Sequence, residues 1–226
     1  FMARPKLGVG PQPDIIGVAF GGLMGLNSYS PLLIMTQNAP IALVIVDMQN
    51  DFVLSGAPAC IAGALATLPK ISEALALWRK KHWPVVYLYR EYRRDGSDIE
   101  ITRLESFLRG IKICVPGTSG ANIVQEIAPR EGEYLVMKNR FSGFMDTELD
   151  FILRRLHVER IAVCGTQYPC CVRATLVDGL CYGYEAICLT DATSAASQDV
   201  AEANVRDLKN MGITCQTVAD FNKTVV

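Results

Sequence analysis

The chain has 226 residues, half of them apolar, and its 22 basic and 23 acidic side chains leave a formal charge of -1. That is enough apolar material for one large core, and the interspersed charges exclude the basic stripe that a nucleic-acid backbone requires. Eight cysteines without a C-x-x-C pair, and only two histidines, His82 and His157, fit neither a disulfide scaffold nor a zinc site, which favours a reducing, cytoplasmic setting.

Residues 1–40 read as an N-terminal extension. No charge occurs between Asp14 and Asp47, and "IIGVAFGGLMGLNSYSPLLIM" is apolar and glycine-rich. Asn27, Ser28, Ser30 and Pro31 interrupt it, so a membrane span of about 20 apolar residues is not expected. An arm that packs on a neighbouring subunit, an organelle-targeting segment and a sequence appended to the natural one all remain open. The expected partners are a small-molecule substrate and further copies of the chain as a homo-oligomer.

From Ile41 the pattern is regular and reads as one domain over residues 41–226. "IALVIVD" is a strand buried on both faces. "LATLPKISEALALWRKKHW" is a helix, with Leu68, Ile71, Ala74, Leu75 and Trp78 recurring every three or four residues. "PVVYLYR" is a strand, "ITRLESFLRGI" a short helix and "EYLVMK" a third strand. "TELDFILRRLH" is a helix with Thr147 as its expected N-cap. The strand "RIAVCG", a helix after Cys171, the strand "EAICLTD", the helix "SQDVAEANVRDLKNMG" and the strand "ITCQTV" follow. This alternation predicts an α/β fold of three layers, α-β-α, around a six-stranded, mainly parallel Rossmann-like sheet.

Such a sheet binds ligands beyond the carboxyl ends of its strands, where the strand order reverses. Asp47, Arg90, Lys138 and Cys171 follow the first four strands, so an acid, two cations and a thiol meet at one edge. A cysteine nucleophile needs a base or a cation beside it. His82 and His157 both follow basic residues at helix ends, where they read as solvated rather than catalytic. A buried aspartate can be the base and a lysine can hold the thiolate. Each residue also has an ordinary reading: Asp47 as a helix cap, Lys138 as a strand end, Cys171 as a packed helix residue. Cys164, Cys188 and Cys215 fall in strands and read as core.

Three blocks, "IVDMQNDFV", "KNRFSGFMDTELDFILRR" and "AVCGTQYPCCVRATLVDGLCYGYEAICLTDATSA", resemble the isochorismatase-like cysteine hydrolases. That family includes isochorismatase, nicotinamidase, N-carbamoylsarcosine amidase and ureidoacrylate amidohydrolase. The resemblance implies a catalytic triad of Asp47, Lys138 and Cys171, with Cys171 rather than Cys170 as nucleophile and Cys170 in a packing position. It further implies a cis peptide at Thr166–Gln167 and an oxyanion hole made by the backbone N–H groups of Gln167 and Cys171. No cofactor is expected. The place where nicotinamidases carry metal-binding histidine reads "REYRRDGSDIE", so no metal is expected either. Isochorismatases that cleave a vinyl ether do not need the cysteine, so its presence favours an amide or ureido carbonyl. "RFSGF" and the Gln-x-Pro loop are most similar to the ureidoacrylate-hydrolase and plant isochorismatase-like branch. Arg90, Arg93 or Arg94 is expected to hold a substrate carboxylate, and Phe52 and Tyr168 to line the pocket. A vinyl-ether hydrolase and a catalytically silent binding or assembly module stand as alternatives.

Overall fold

The computed structural model describes residues 39–225. The question raised by residues 1–40 therefore lies outside the described residues, apart from the last two positions. Strand β1 (Ile41–Val46) is buried at every position, which requires cover on both faces of the sheet. After it come a short helix α1 (Asn50–Val53), the long helix α2 (Ala64–Lys81), β2 (Val85–Tyr89), α3 (Ile101–Leu108) and β3 (Tyr134–Met137). The second half holds α4 (Leu149–Arg155), β4 (Arg160–Thr166), a wide helical turn Tyr168–Val172, α5 (Arg173–Cys181), β5 (Glu185–Ser194), α6 (Gln198–Asn210), β6 (Thr214–Gln216) and α7 (Val218–Val225). Among the described residues no helix is long and apolar enough to cross a membrane.

The six strands form one sheet in the order β3-β2-β1-β4-β5-β6, and every neighbouring pair is parallel. This is the expected three-layer α/β architecture. Ile41, Leu43 and Ile45 face a core built with Leu68, Ile71, Leu75 and Trp78 of α2. Ala42, Val44 and Val46 face the opposite core, with Leu149 and Leu153 of α4, Leu176 of α5 and Leu208 of α6. The period of two along β1 thus divides its side chains between the two helical layers. Trp78 ties α2 to the sheet by donating its indole N–H to the Ile41 carbonyl at 2.8 Å.

Three local features differ from the sequence expectation. Strand β5 continues past Asp191, because Thr193 and Ser194 pair with Gly165 and Thr166 after a shift in register. Helix α4 starts at Leu149, and Thr147 instead accepts the Leu149 N–H at 3.2 Å while donating to the Gly143 carbonyl. Helix α7 has no counterpart in the sequence pattern, since only Val218 and Phe221 of it are buried and two residues make no readable period. Phe221 stacks on Trp78 with ring centroids 4.8 Å apart.

The strand order reverses between β1 and β4, which opens a crevice at their carboxyl ends. Gly165 lies there with φ +109°, and a Cβ on it would stand 2.3 Å from the Val46 carbonyl oxygen. Only glycine lets the two backbones approach this closely.

Candidate active site

Asp47 follows β1 with a left-handed φ of 49°, its N–H donated to the Leu88 carbonyl at 2.9 Å. The turn aims its carboxylate into the crevice and leaves it 1% exposed. Oδ2 accepts hydrogen bonds from Lys138 Nζ at 2.8 Å and Arg90 Nε at 3.1 Å. Oδ1 has no hydrogen-bond partner among the described residues.

Arg90 follows β2 and is completely buried. The Gln49 side chain holds its backbone on both sides, accepting the Arg90 N–H at 2.7 Å and donating to the Arg90 carbonyl at 2.8 Å. The guanidinium reaches Asp47 with Nε, Tyr92 Oη and Glu100 Oε1 with Nη1, and the Arg140 carbonyl with Nη2 at 3.2 Å. Nη2 also stands 3.2 Å from Cys171 Sγ. Lys138, after β3, is 1% exposed and donates a second bond to the Arg140 carbonyl at 3.2 Å.

Cys171 sits in the turn between β4 and α5, 3% exposed. Its carbonyl accepts the Thr175 hydroxyl at 2.7 Å, and Thr175 Oγ1 accepts the Gly143 N–H at 2.9 Å. A Cβ at Gly143 would stand 2.2 Å from a Leu88 methyl carbon. The "RFSGF" loop is thereby clamped between β2 and the turn that carries the thiol. The Thr166–Gln167 peptide bond is cis.

A cavity of about 30 Å³ is lined by Asp47, Thr166, Gln167, Cys170 and Cys171 on one side and by Phe52, Ala59, Ile61 and Arg103 on the other. This is far below the roughly 300–1,000 Å³ typical for drug-sized ligands, so the closed crevice admits only a very small group.

The structure therefore brings Asp47, Lys138, Cys171 and Arg90 together. It does not bring the other proposed arginines with them. Arg93 is exposed, 4.0 Å from Asp98, and Arg94 reaches the Pro116 carbonyl at 3.3 Å. Their charged segment turns outward, and neither lines the cavity. Arg90 does not offer a face for a substrate carboxylate, since its donors are taken up by Asp47, Tyr92, Glu100 and Arg140. Tyr168 is buried but points away, donating to the Thr190 carbonyl at 3.2 Å. Phe52 does line the cavity.

Sequence reasoning missed Arg103, one turn into the solvent-facing α3, which reaches the cavity wall 5.9 Å from the Phe52 ring. It also missed Glu100; Cys170 packs against the core as expected and in addition lines the cavity. No local signal marks the role of Arg103, because Phe52 and the rest of the cavity wall are distant from it in sequence.

The electrostatics follow from burial and pairing. Burial alone would raise the Asp47 pKa, but Lys138 and Arg90 outweigh it and hold the carboxyl below its ordinary 3.8. Glu100 behaves alike: burial raises it, and Arg90 beside it gives a net lowering. Cys171 is pushed well up, first by the hydrogen bond it shares with Cys170, then by burial and by the Asp47 anion. The helix start does not make it a resting thiolate.

Among the described residues no three His, Cys, Asp or Glu side chains converge as metal ligands. After β2, Asp98 has both oxygens occupied, accepting the Arg93 N–H at 2.9 Å and Asn139 Nδ2 at 3.0 Å. The residues present there do not fit a metal.

The Isochorismatase domain model matches residues 41–220. The chain belongs to the isochorismatase family. It is 32% identical over 185 residues to an Arabidopsis thaliana protein named "Probable inactive nicotinamidase", a match covering 80% of this chain and 94% of that one. It is 30% identical over 202 residues to ureidoacrylate amidohydrolase RutB of Azorhizobium caulinodans, covering 80% and 88% of the two chains. Among solved structures, an isochorismatase family protein from Desulfovibrio vulgaris superposes with a TM-score of 0.81 at 47% identity, over 83% of this chain and 99% of that one.

Proposed function

We propose that this isochorismatase-family chain hydrolyses a C–N bond, amide or ureido, in a small molecule through a thioester on Cys171. The observation that carries this reading is the divided Asp47 carboxylate. Oδ2 is committed to two cations, while Oδ1 is unpartnered in a cavity that also holds the Cys171 thiol. A buried acceptor without a donor is costly, and a thiol proton is what it is fit to receive.

In this mechanism Asp47 takes the Cys171 proton as substrate arrives. Arg90 Nη2, already 3.2 Å from the sulfur, stabilises the thiolate. Lys138 holds the carboxylate in position. The thiolate attacks the carbonyl, and the N–H groups of Gln167 and Cys171 receive the oxyanion. Asp47 then protonates the departing nitrogen, and water cleaves the thioester.

The test is a screen of small amides, ureido acids and vinyl ethers, with ammonia release as the readout for C–N cleavage. Release by the wild type that disappears in Cys171→Ala supports the reading. A rate on a vinyl ether that survives Cys171→Ala supports ether hydrolysis instead. A silent module is the second reading favoured by an observation, the name of the plant relative. Inactivity on every compound would support it.

Arg103 gives the substrate a sign. It is the cation of the cavity wall that does not touch Asp47, and its Nε is 3.9 Å from Glu100, beyond hydrogen-bond reach. It suits an anionic group on the substrate. Arg103→Ala is expected to raise KM about tenfold or more for ureido acids, the worth of a charged hydrogen bond, with kcat and neutral amides little changed. Equal losses on charged and neutral substrates would assign Arg103 a structural role.

A further inference from the structure

Cys170 has no part in the mechanism above, yet it is placed for chemistry. It is half-buried, it lines the same cavity as Cys171, and the two sulfurs are 3.8 Å apart. The hydrogen bond the two thiols share outweighs burial and lowers the Cys170 thiol to about 6. The more acidic thiol of the pair thus lines the cavity, with a second thiol 3.8 Å from it. The charged side chains of the cavity wall are Asp47 and Arg103.

We propose that Cys170 and Cys171 form an oxidisable pair in which a hydroperoxide reacts at Cys170 and Cys171 then closes onto it as a disulfide between adjacent residues. With hydrogen peroxide the Cys170 thiolate attacks one oxygen, so that an S–O bond forms, the O–O bond breaks and hydroxide leaves. Cys170 becomes a sulfenic acid, oxidised by two electrons, and the peroxide is reduced. The Cys171 sulfur next attacks the Cys170 sulfur while its own proton goes to the departing hydroxide. The S–S bond forms, the S–O bond breaks and water leaves. In sum, two thiols and one peroxide give one disulfide and two waters.

The geometry also makes the product reversible. Adjacent Cα atoms across a trans peptide are about 3.8 Å apart, whereas ordinary disulfides span about 4.4–6.8 Å. A bridge forced into the shorter span is strained and reducible. While it lasts the nucleophile is masked, and it is spared oxidation to sulfinic acid.

Peroxide treatment of the whole chain, followed by thiol counting in denaturant and peptide mapping, tests this without any substrate, so its outcome is independent of the proposed hydrolysis. Two of the eight thiols should be lost, the peptide bearing Cys170 and Cys171 should lose two hydrogens, and dithiothreitol should restore all eight. In Cys171→Ser, Cys170 should stop as a sulfenic acid that dimedone traps. The wild-type mass change decides the question should that variant not fold. Oxidation confined to the exposed Cys60 and Cys181, with both thiols of the pair intact, would overturn the proposal. Sulfinic acid on Cys171 beside an untouched Cys170 would do the same.

Discussion

Replacing Cys171 by alanine is expected to lower kcat/KM on the substrate found by the screen by at least about 10³-fold, because loss of a nucleophile removes the covalent route altogether. The fold should survive. The side chain is small, and the turn that carries it is held through the Thr175 hydroxyl on its backbone carbonyl, 2.7 Å away, not through the sulfur. Cys171→Ser should be nearly as inactive, since a hydroxyl is far less acidic than a thiol and the proposed thiolate is the anion that Arg90, 3.2 Å from the sulfur, would stabilise. Wild-type protein quenched during turnover should carry the acyl mass on Cys171. Turnover within tenfold of wild type in Cys171→Ala, or an acyl group mapped to another residue, would remove the thioester from the reaction.

Replacing Asp47 by asparagine is expected to cost about 3–5 kcal/mol of stability as well as activity. The reason is that Lys138 and Arg90 share this anion in a site of 2% side-chain exposure or less, and removing one partner of a buried ion cluster strands the others. Asp47→Asn combined with Lys138→Met should regain part of the loss, which urea midpoints can measure. The pH dependence has a definite sign. A carboxyl held below its ordinary 3.8 contributes fully above that value, and the contribution fades as pH falls through the lower folded value. The stability gap between wild type and Asp47→Asn should therefore be constant near neutrality and close only in acid. A cost under about 1 kcal/mol would mean that the carboxylate does not neutralise the two cations.

What the sequence discloses and what it withholds divide along physical lines. β1, β2 and β4 are legible because a strand covered on both faces must be apolar at every position, and α2 because its buried stripe is long. Asp47, Lys138 and Cys171 are legible as a group because strand ends in a parallel sheet share one edge. Arg90 is the instructive case. Its segment "REYRRD" looks like a solvated turn, and Arg93 and Arg94 do lie in one. Arg90 is drawn inside by Asp47, Tyr92 and Glu100. Of these, Asp47 is 43 residues away, so no local pattern signals the burial. Cys170 escapes notice for a different reason. Its neighbour takes the buried place, and only the pitch of the turn shows that both sulfurs reach the same cavity. Tyr168 is misleading in the opposite sense, an aromatic near Cys171 whose hydroxyl is committed to Thr190.

The cluster of Arg90, Lys138, Asp47 and Glu100 has a consequence for how the first proton moves. Two positive and two negative groups, joined by ion pairs at Asp47 and at Glu100, sum to zero. In the proposed mechanism the Cys171 proton passes to Asp47, the carboxyl becomes neutral and the sulfur takes up the negative charge, so the sum is still zero. The step is isocoulombic: an anion changes its address by one neighbour, and no new charge is created in a medium where isolated ions are prohibitively costly. Mobile ions in the solvent, which screen exposed charges, have little hold on such an exchange. Ionic strength should instead act on the arrival of an anionic substrate at Arg103, leaving the transfer inside the crevice nearly indifferent to salt.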